Sequence, residues 1–215
     1  MESGLFLLFW YGILHAFGPD HLTAIADFSI GKGRRKTLFI TLAFAVGHGV
    51  SLFLFAKLLQ MTNIPAEYTA YADTVSSGVI FAIGAYLLFM AATDRINIGR
   101  HMHEGKEHIH IWFGKSHDHS DADFNRRTAS ALTVGALMGI GGVRGMLVTL
   151  SAIAHNEVGP MMVVSFTLGV MVVFMGFGYI VSLINDNLLT SRRNVRAAFA
   201  TAGALSLVVG TGMMV

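Results

Sequence analysis

Six apolar stretches govern what this chain can become. They fall at roughly 4–27, 37–60, 70–92, 128–154, 159–184 and 195–215. Each is long enough to cross the hydrocarbon core of a bilayer as a helix, which takes about 20 residues. They are too long for barrel strands and do not alternate in polarity, so helices are the expected form. Charged residues make up only 13% of the chain, against about 25% in a typical soluble domain. Mean hydropathy is +0.60. This excludes a disordered protein, a nucleic-acid-binding module and an ordinary cytosolic domain. The expected fold class is all-α, a polytopic membrane protein with six transmembrane helices in contact with the lipid bilayer. The start of the chain, Met1-Glu2-Ser3, lacks the basic region of a secretory signal, so the first stretch is read as a permanent span.

The basic residues sort by connection. Lys32, Arg34, Arg35 and Lys36 follow the first stretch, and Arg95, Arg100, Lys106, Lys115, Arg126 and Arg127 follow the third. Arg192, Arg193 and Arg196 follow the fifth, whereas 61–69 and 155–158 contain no Lys or Arg. By the positive-inside rule these three connections are cytoplasmic and both termini lie outside, in the cell membrane. Lys57 falls near the outer end of the second span, where a long side chain can reach the interface.

Three parts follow. Residues 1–93 form a first three-helix half, 94–127 a polar cytoplasmic loop, and 128–215 a second three-helix half. Gly12-Ile13-Leu14-His15-Ala16-Phe17-Gly18 aligns with Gly135-Ala136-Leu137-Met138-Gly139-Ile140-Gly141, and Phe44-Ala45-Val46-Gly47-His48 with Phe166-Thr167-Leu168-Gly169-Val170. A repeat of three spans inverts its orientation in the membrane, so two inverted repeats are expected. The alternative is chance matching of small and apolar letters.

Chemistry concentrates in the first span, at His15-Ala16-Phe17-Gly18-Pro19-Asp20-His21. Each charged group at mid-bilayer costs about 2.5–3.5 kcal/mol on insertion scales. Such residues mark a site, a path or a proton relay far more often than they face lipid. On an unbroken helix His15 would not share a face with Asp20 or His21, because positions five and six apart differ by about 140° and 240°. Gly18-Pro19 lies between them and is expected to break the helix, letting the three converge and freeing backbone carbonyls. In the second span the glycines of Gly47-His48-Gly49 let His48 approach the break. Taken alone, His48 could equally be a hydrogen-bonding contact between helices. The expected metal ligands are His15, Asp20, His21 and His48. Imidazole with carboxylate suits Ni2+, Co2+, Zn2+ or Cu2+ rather than Mg2+ or Ca2+. With no cysteine in the chain, no thiolate site exists. Asp27 is a candidate for a second ligand on the exit path, or simply an acid at a helix end. Arg144, near the middle of the fourth span, is expected to pair with Asp20 or Asp27.

The loop carries His101-Met102-His103, His108-Ile109-His110 and His117-Asp118-His119. Histidine-rich tracts commonly bind metal, so these six residues are expected to buffer metal without a fixed geometry. The plain alternative is a solvated linker. The methionines of the second half, Met138 to Met175, are read as packing.

His15-x-x-x-x-Asp20-His21, continued by Leu22-Thr23-Ala24-Ile25, together with Phe44-Ala45-Val46-Gly47-His48-Gly49, resembles the nickel/cobalt transporter (NiCoT) family and its wider superfamily. That group includes urease-accessory-type nickel permeases and nickel/cobalt efflux proteins. The resemblance covers about residues 11–55. It implies transmembrane transport of nickel, with cobalt as a second substrate, and metal passage through His15, Asp20, His21 and His48. It departs from the family in three ways. Six spans stand where uptake members have eight, Gly18 replaces a second acid, and the following acid, Asp27, comes one position late. Uptake is favoured over efflux. A metal sensor acting through the loop is a further alternative. No enzyme activity or resident cofactor is expected, since neither a P-loop nor an intramembrane His-Glu-x-x-His is present. The divalent metal ion is the expected ligand. A homo-oligomer and a metallochaperone docking at the loop are compatible partners.

Overall fold

The computed structural model of the chain describes residues 2–61, 69–93, 96–103, 106–113, 125–126, 128–141 and 159–214. Helix α1 spans Glu2–Ala16 and α2 Pro19–Ser29. Then follow α3 (Arg34–Met61), α4 (Thr69–Ala92), strands β1 (Ile96–His103) and β2 (Lys106–Phe113), α5 (Thr128–Gly141), α6 (Pro160–Leu188) and α7 (Arg192–Gly212). Four of these, α3, α4, α6 and α7, contain apolar runs long enough to cross a membrane; α1 and α5 are shorter apolar helices. Phe6, Leu54, Val172, Ile180 and Val208 are exposed on the outside of the bundle. A water-soluble protein rarely shows so wide an apolar exterior, whereas a membrane-embedded one requires it.

The first expected span is two helices. Pro19 has no amide hydrogen to continue α1, but at the first position of α2 none is needed. The Phe17 and Gly18 amides turn back to the Leu14 and His15 carbonyls at 3.3 and 3.0 Å. At the other end of α2, Gly31 takes a φ of 73°, a backbone shape that favours glycine. Asn185 of α6 holds this turn. Its side-chain amide donates to the Ser29 and Lys32 carbonyls at 2.7 and 3.0 Å, and its oxygen accepts the Gly31 amide at 3.1 Å.

Glycines set the helix crossings. A Cβ at Gly12 would strike the Phe166 backbone, and one at Gly169 the Phe9 backbone, so α1 and α6 touch main chain to main chain. In the same manner Gly47 meets Leu132 and Gly135 meets Phe44, which joins α3 to α5. Gly84 and Gly203 face each other where α4 crosses α7, each carbonyl 2.8 Å from the other's Cβ position. Ser51 and Ser76 tie α5 to α3 and α4 by donating to the Ala136 and Leu137 carbonyls at 2.6 and 3.1 Å. The halves expected at 1–93 and 128–215 therefore interlock: α1 and α3 pack on α6, and α4 packs on α7.

The α2–α3 connection, the α6–α7 connection and the end of α4 lie together at one end of the bundle. Gly31 and Lys32 meet Asn185, Arg34 lies 4.0 Å from Asp186, and Arg196 Nε donates to the Ala91 carbonyl at 3.1 Å. At the opposite end Ser165 donates to the Leu5 carbonyl at 2.7 Å.

The apolar bundle is all-α, as expected, and the two strands lie in the polar loop. Residues 96–103 and 106–113 pair antiparallel, with Ile96 opposite Phe113 and His103 opposite Lys106. Strand β1 also touches α7. A segment expected to be shapeless therefore has paired backbone over eight residues on each side. Its alternating apolar letters, Ile96, Ile98, Ile109 and Ile111, follow the two-residue period of a strand.

Candidate metal centre

His15 ends α1, His21 lies in the first turns of α2, and His48 sits midway along α3. The break at Phe17-Gly18 brings the first two together, with ring centroids 4.8 Å apart. The third arrives because α3 packs on α2 and α6. His48 is 5.5 Å from His15 and 4.9 Å from His21. His21 and His48 are buried and His15 is half-buried.

One ligand nitrogen from each ring lies within 4.8 Å of the others. Such atoms sit at most about 2.8 Å from a common centre, against metal–nitrogen bonds of about 2.0–2.1 Å. An inward movement of about 0.7 Å per ring therefore completes a three-imidazole set. His15 Nε2, His21 Nε2 and both nitrogens of His48 have no hydrogen-bond partner. Leaving a buried polar atom unpaired costs about 1–3 kcal/mol, so several orphans facing one another call for an explanation. A bound cation supplies one.

Asp20 takes a different part. Its Oδ1 accepts a hydrogen bond from His21 Nδ1 at 2.8 Å. That bond places the proton on Nδ1 and leaves the unpartnered Nε2 with the ring's free lone pair, the usual arrangement of a carboxylate behind a metal-binding histidine. Asp20 is also the more accessible of the two, with 15% of its side chain exposed against 5% for His21. Gly18 makes room for the pair: a Cβ there would lie 2.5 Å from Asp20 Oδ1 and 2.8 Å from His21 Nδ1.

Several carbonyls beside the break already have partners. Those of Leu14, His15 and Gly18 already accept backbone amides, and those of Pro19 and Asp20 accept the Thr23 hydroxyl. The negative pole of α1 still points toward His15 and favours a cation there.

Asp27 is buried but lies elsewhere, on the side of α2 that meets α7. Its Oδ2 accepts the Ser206 hydroxyl at 2.7 Å, and it is absent from the imidazole group. Arg144, His117 and His119 lie outside the described residues, as does the proposed pairing of Arg144 with an aspartate. His101, His103, His108 and His110 fall in the paired strands.

An aromatic wall, which the sequence did not single out, encloses the centre. Phe166 lies 5.3 Å from His15, and Phe174 lies 5.6 and 5.9 Å from His21 and His48. Phe44 stacks on His48 at 6.4 Å, and Tyr11 approaches His15 at 6.2 Å. Phe166 and Phe174 come from the second half of the chain. Their eight-residue spacing on α6 was visible, but any buried helix face carries similar pairs.

No protein-family model, curated protein or solved structure matches this chain.

Proposed function

We propose that this protein carries divalent transition-metal ions across the cell membrane, with Ni2+ as its main substrate, Co2+ as a second, and uptake as the direction. The observation behind this reading is the set of three converging imidazoles with unpartnered nitrogens at a helix break inside an apolar bundle. Helix α1 has 15 residues, a rise of about 22 Å at 1.5 Å per residue. The break is therefore deep in the bilayer, where discontinuous helices of transporters build their sites. Three neutral imidazoles backed by one carboxylate suit a borderline divalent ion and leave coordination positions for water or a passing ligand. The motif's resemblance to the nickel/cobalt transporter superfamily selects nickel and cobalt from that group.

Two inverted three-helix halves are part of the proposal, and the glycine crossings support them. Gly12 and Gly135 are 123 positions apart, and Phe44 and Phe166 are 122 apart. The contact of Gly12 with Phe166 thus maps onto that of Gly135 with Phe44. Likewise Gly169 on Phe9 maps onto Gly47 on Leu132. Gly84 and Gly203 also contact each other reciprocally, at an offset of 119. Under this mapping His15 and His48 correspond to Met138 and Val170, so only one half binds metal. The grouping of the basic connections at one end of the bundle supports a cytoplasmic placement for that end. An inside-negative potential then favours influx by about 2.3 kcal/mol per charge per 100 mV, doubled for a divalent ion.

Radiolabelled Ni2+ influx into proteoliposomes of defined orientation, with an imposed inside-negative potential, tests the reading. Wild type is expected to take up nickel, and His21→Ala to show none above protein-free vesicles. Uptake that persists in His21→Ala would end this assignment, and flux only under reversed gradients would make the protein an exporter.

The pair behind the centre gives a finer expectation. Gly18→Ala should push Asp20 away from His21, and Asp20→Asn should remove the charge while keeping an acceptor. Each is expected to raise the KM for nickel influx by about 10–100-fold, the usual effect of losing a partner behind a metal ligand. The helices should remain folded by circular dichroism.

A further inference from the structure

Helices α3 and α6 run antiparallel and in step. The Cβ position of Gly49 lies 2.6 Å from the Thr167 methyl group, the Phe44 and Phe174 ring centroids are 5.4 Å apart, and the Cβ position of Gly178 lies 2.5 Å from Thr41 Oγ1. Between the imidazoles and the end of the bundle that carries the basic connections, this seam has three layers. The Phe44–Phe174 pair comes first, against the centre. Phe44 stacks on His48, Phe174 lies against His21 and His48, and both rings are buried. The next layer is hydroxylic. Thr41 and Ser182 are buried beside Gly178, and Thr37 and Ser29 are buried beyond them. Asn185 closes the far end. Its three hydrogen bonds hold the Ser29–Lys32 turn, and Thr37 Oγ1 shares its Lys32 carbonyl at 3.1 Å.

We propose that this seam is the route by which the metal ion leaves the imidazoles toward the basic end, closed here by the Phe44–Phe174 pair as barrier and by Asn185 as latch. The route rests on the transport reading above. An apolar constriction excludes the water that a divalent cation carries, and so blocks passage without placing any charge in the path. Beyond it, the Thr41, Thr37 and Ser182 hydroxyls donate to the Thr37, Lys32 and Tyr179 carbonyls at 2.9, 3.1 and 2.7 Å. Each oxygen keeps lone pairs for a cation. Hydroxyls inside helices often bond back in this way for local reasons alone. Ser29 Oγ is different, because it is fully buried and has no partner. Oxygen holds a borderline ion more weakly than imidazole does, so an ion that passes the rings is released rather than trapped. Asn185 suits a latch because its bonds all go to one turn, around Gly31. Breaking them frees the turn and leaves the hydrogen bonds within the helices intact.

Two introduced cysteines lock the seam. The chain has none of its own, and the Gly178 Cβ position lies 3.1 Å from Thr41 Cβ, near the roughly 3.5–4.5 Å of a disulfide. In proteoliposomes of the full chain, Thr41→Cys with Gly178→Cys is expected to lose Ni2+ influx on oxidation and to regain it with dithiothreitol. Undiminished influx in fully cross-linked protein would overturn the route, and so would failure of the two cysteines to cross-link. A second arm reads the layers without transport. Single cysteines stand on either side of the ring pair, Thr41→Cys toward the basic end and Val170→Cys, one turn from Phe174, toward the imidazoles. A membrane-impermeant cationic reagent, trimethylammonium-ethyl methanethiosulfonate, is applied from the basic end. Asn185→Ala should speed labelling of Thr41→Cys by about tenfold or more, since three hydrogen bonds are lost. It should leave Val170→Cys unchanged until Phe44→Ala is added. Equal acceleration at both cysteines, or acceleration at neither, would overturn barrier and latch. That contrast is read with both rings intact, so it does not depend on the folding of Phe44→Ala. The two readings fail separately. Wild type without Ni2+ influx would end the transport reading and the route with it, whereas influx in both wild type and the oxidised cysteine pair would end the route alone.

Discussion

Replacing His48 with leucine is expected to abolish nickel influx while leaving the metal-free protein at least as heat-stable as wild type. His48 is fully buried, and neither ring nitrogen has a partner. If it served to bind helices together, leucine would remove a hydrogen bond and destabilise the bundle by about 0.5–1.5 kcal/mol. Neither nitrogen meets hydrogen-bond geometry here, although the Gly135 main chain lies close to the ring. Leucine instead removes two unsatisfied polar atoms from apolar surroundings between Phe44 and Phe174, a change that runs from neutral to stabilising. For the metal, one of three ligands disappears. The expected fall in influx at fixed low nickel exceeds the roughly 10–100-fold range associated with outer partners. The paired measurements are proteoliposome influx and thermal unfolding in detergent without metal. A marked loss of stability with influx retained would show that His48 is structural.

Gly12→Ala should unfold or loosen the bundle, although alanine is ordinarily the better helix former by about 0.8–1.0 kcal/mol. The added methyl group would meet the Phe166 main chain, which cannot swing aside as a side chain can. Overpacking of this kind costs about 1–3 kcal/mol, sometimes more. Because α1 carries His15, its displacement from α6 should weaken metal binding as well. Gly4→Ala, in the same helix, has nothing within 4 Å of its new Cβ and should be neutral or slightly stabilising. Melting temperatures of the two variants, measured side by side with wild type, decide the matter. Similar values for both would mean that α1 and α6 are not held main chain to main chain.

The opposite signs expected for two glycines of one helix illustrate what sequence can and cannot carry. The excess of glycine announced close packing, but nothing local distinguishes Gly12 from Gly4. The difference lies in α6, more than 150 positions away. The same holds at the site. His15, Asp20 and His21 were legible because a proline acts on its own neighbours through sterics and a missing donor. Their distinct roles were not legible, because the bond of Asp20 to His21 depends on rotamers in a turn that only Gly18 leaves open.

The sequence by itself determined the apolar segments, the break between α1 and α2, the presence of titratable groups within the first span, and the one-sided distribution of basic connections. All of these follow from hydropathy, proline geometry and charge, which act within a few residues. Tertiary structure alone decided that His48 completes the group, that Asp27 turns to Ser206, and that Phe166 and Phe174 of the second half enclose the centre. Helix-face pairing and strand register are settled by contacts between distant segments, where a rotation of one residue, about 100° on a helix or a full change of face on a strand, gives a different neighbour.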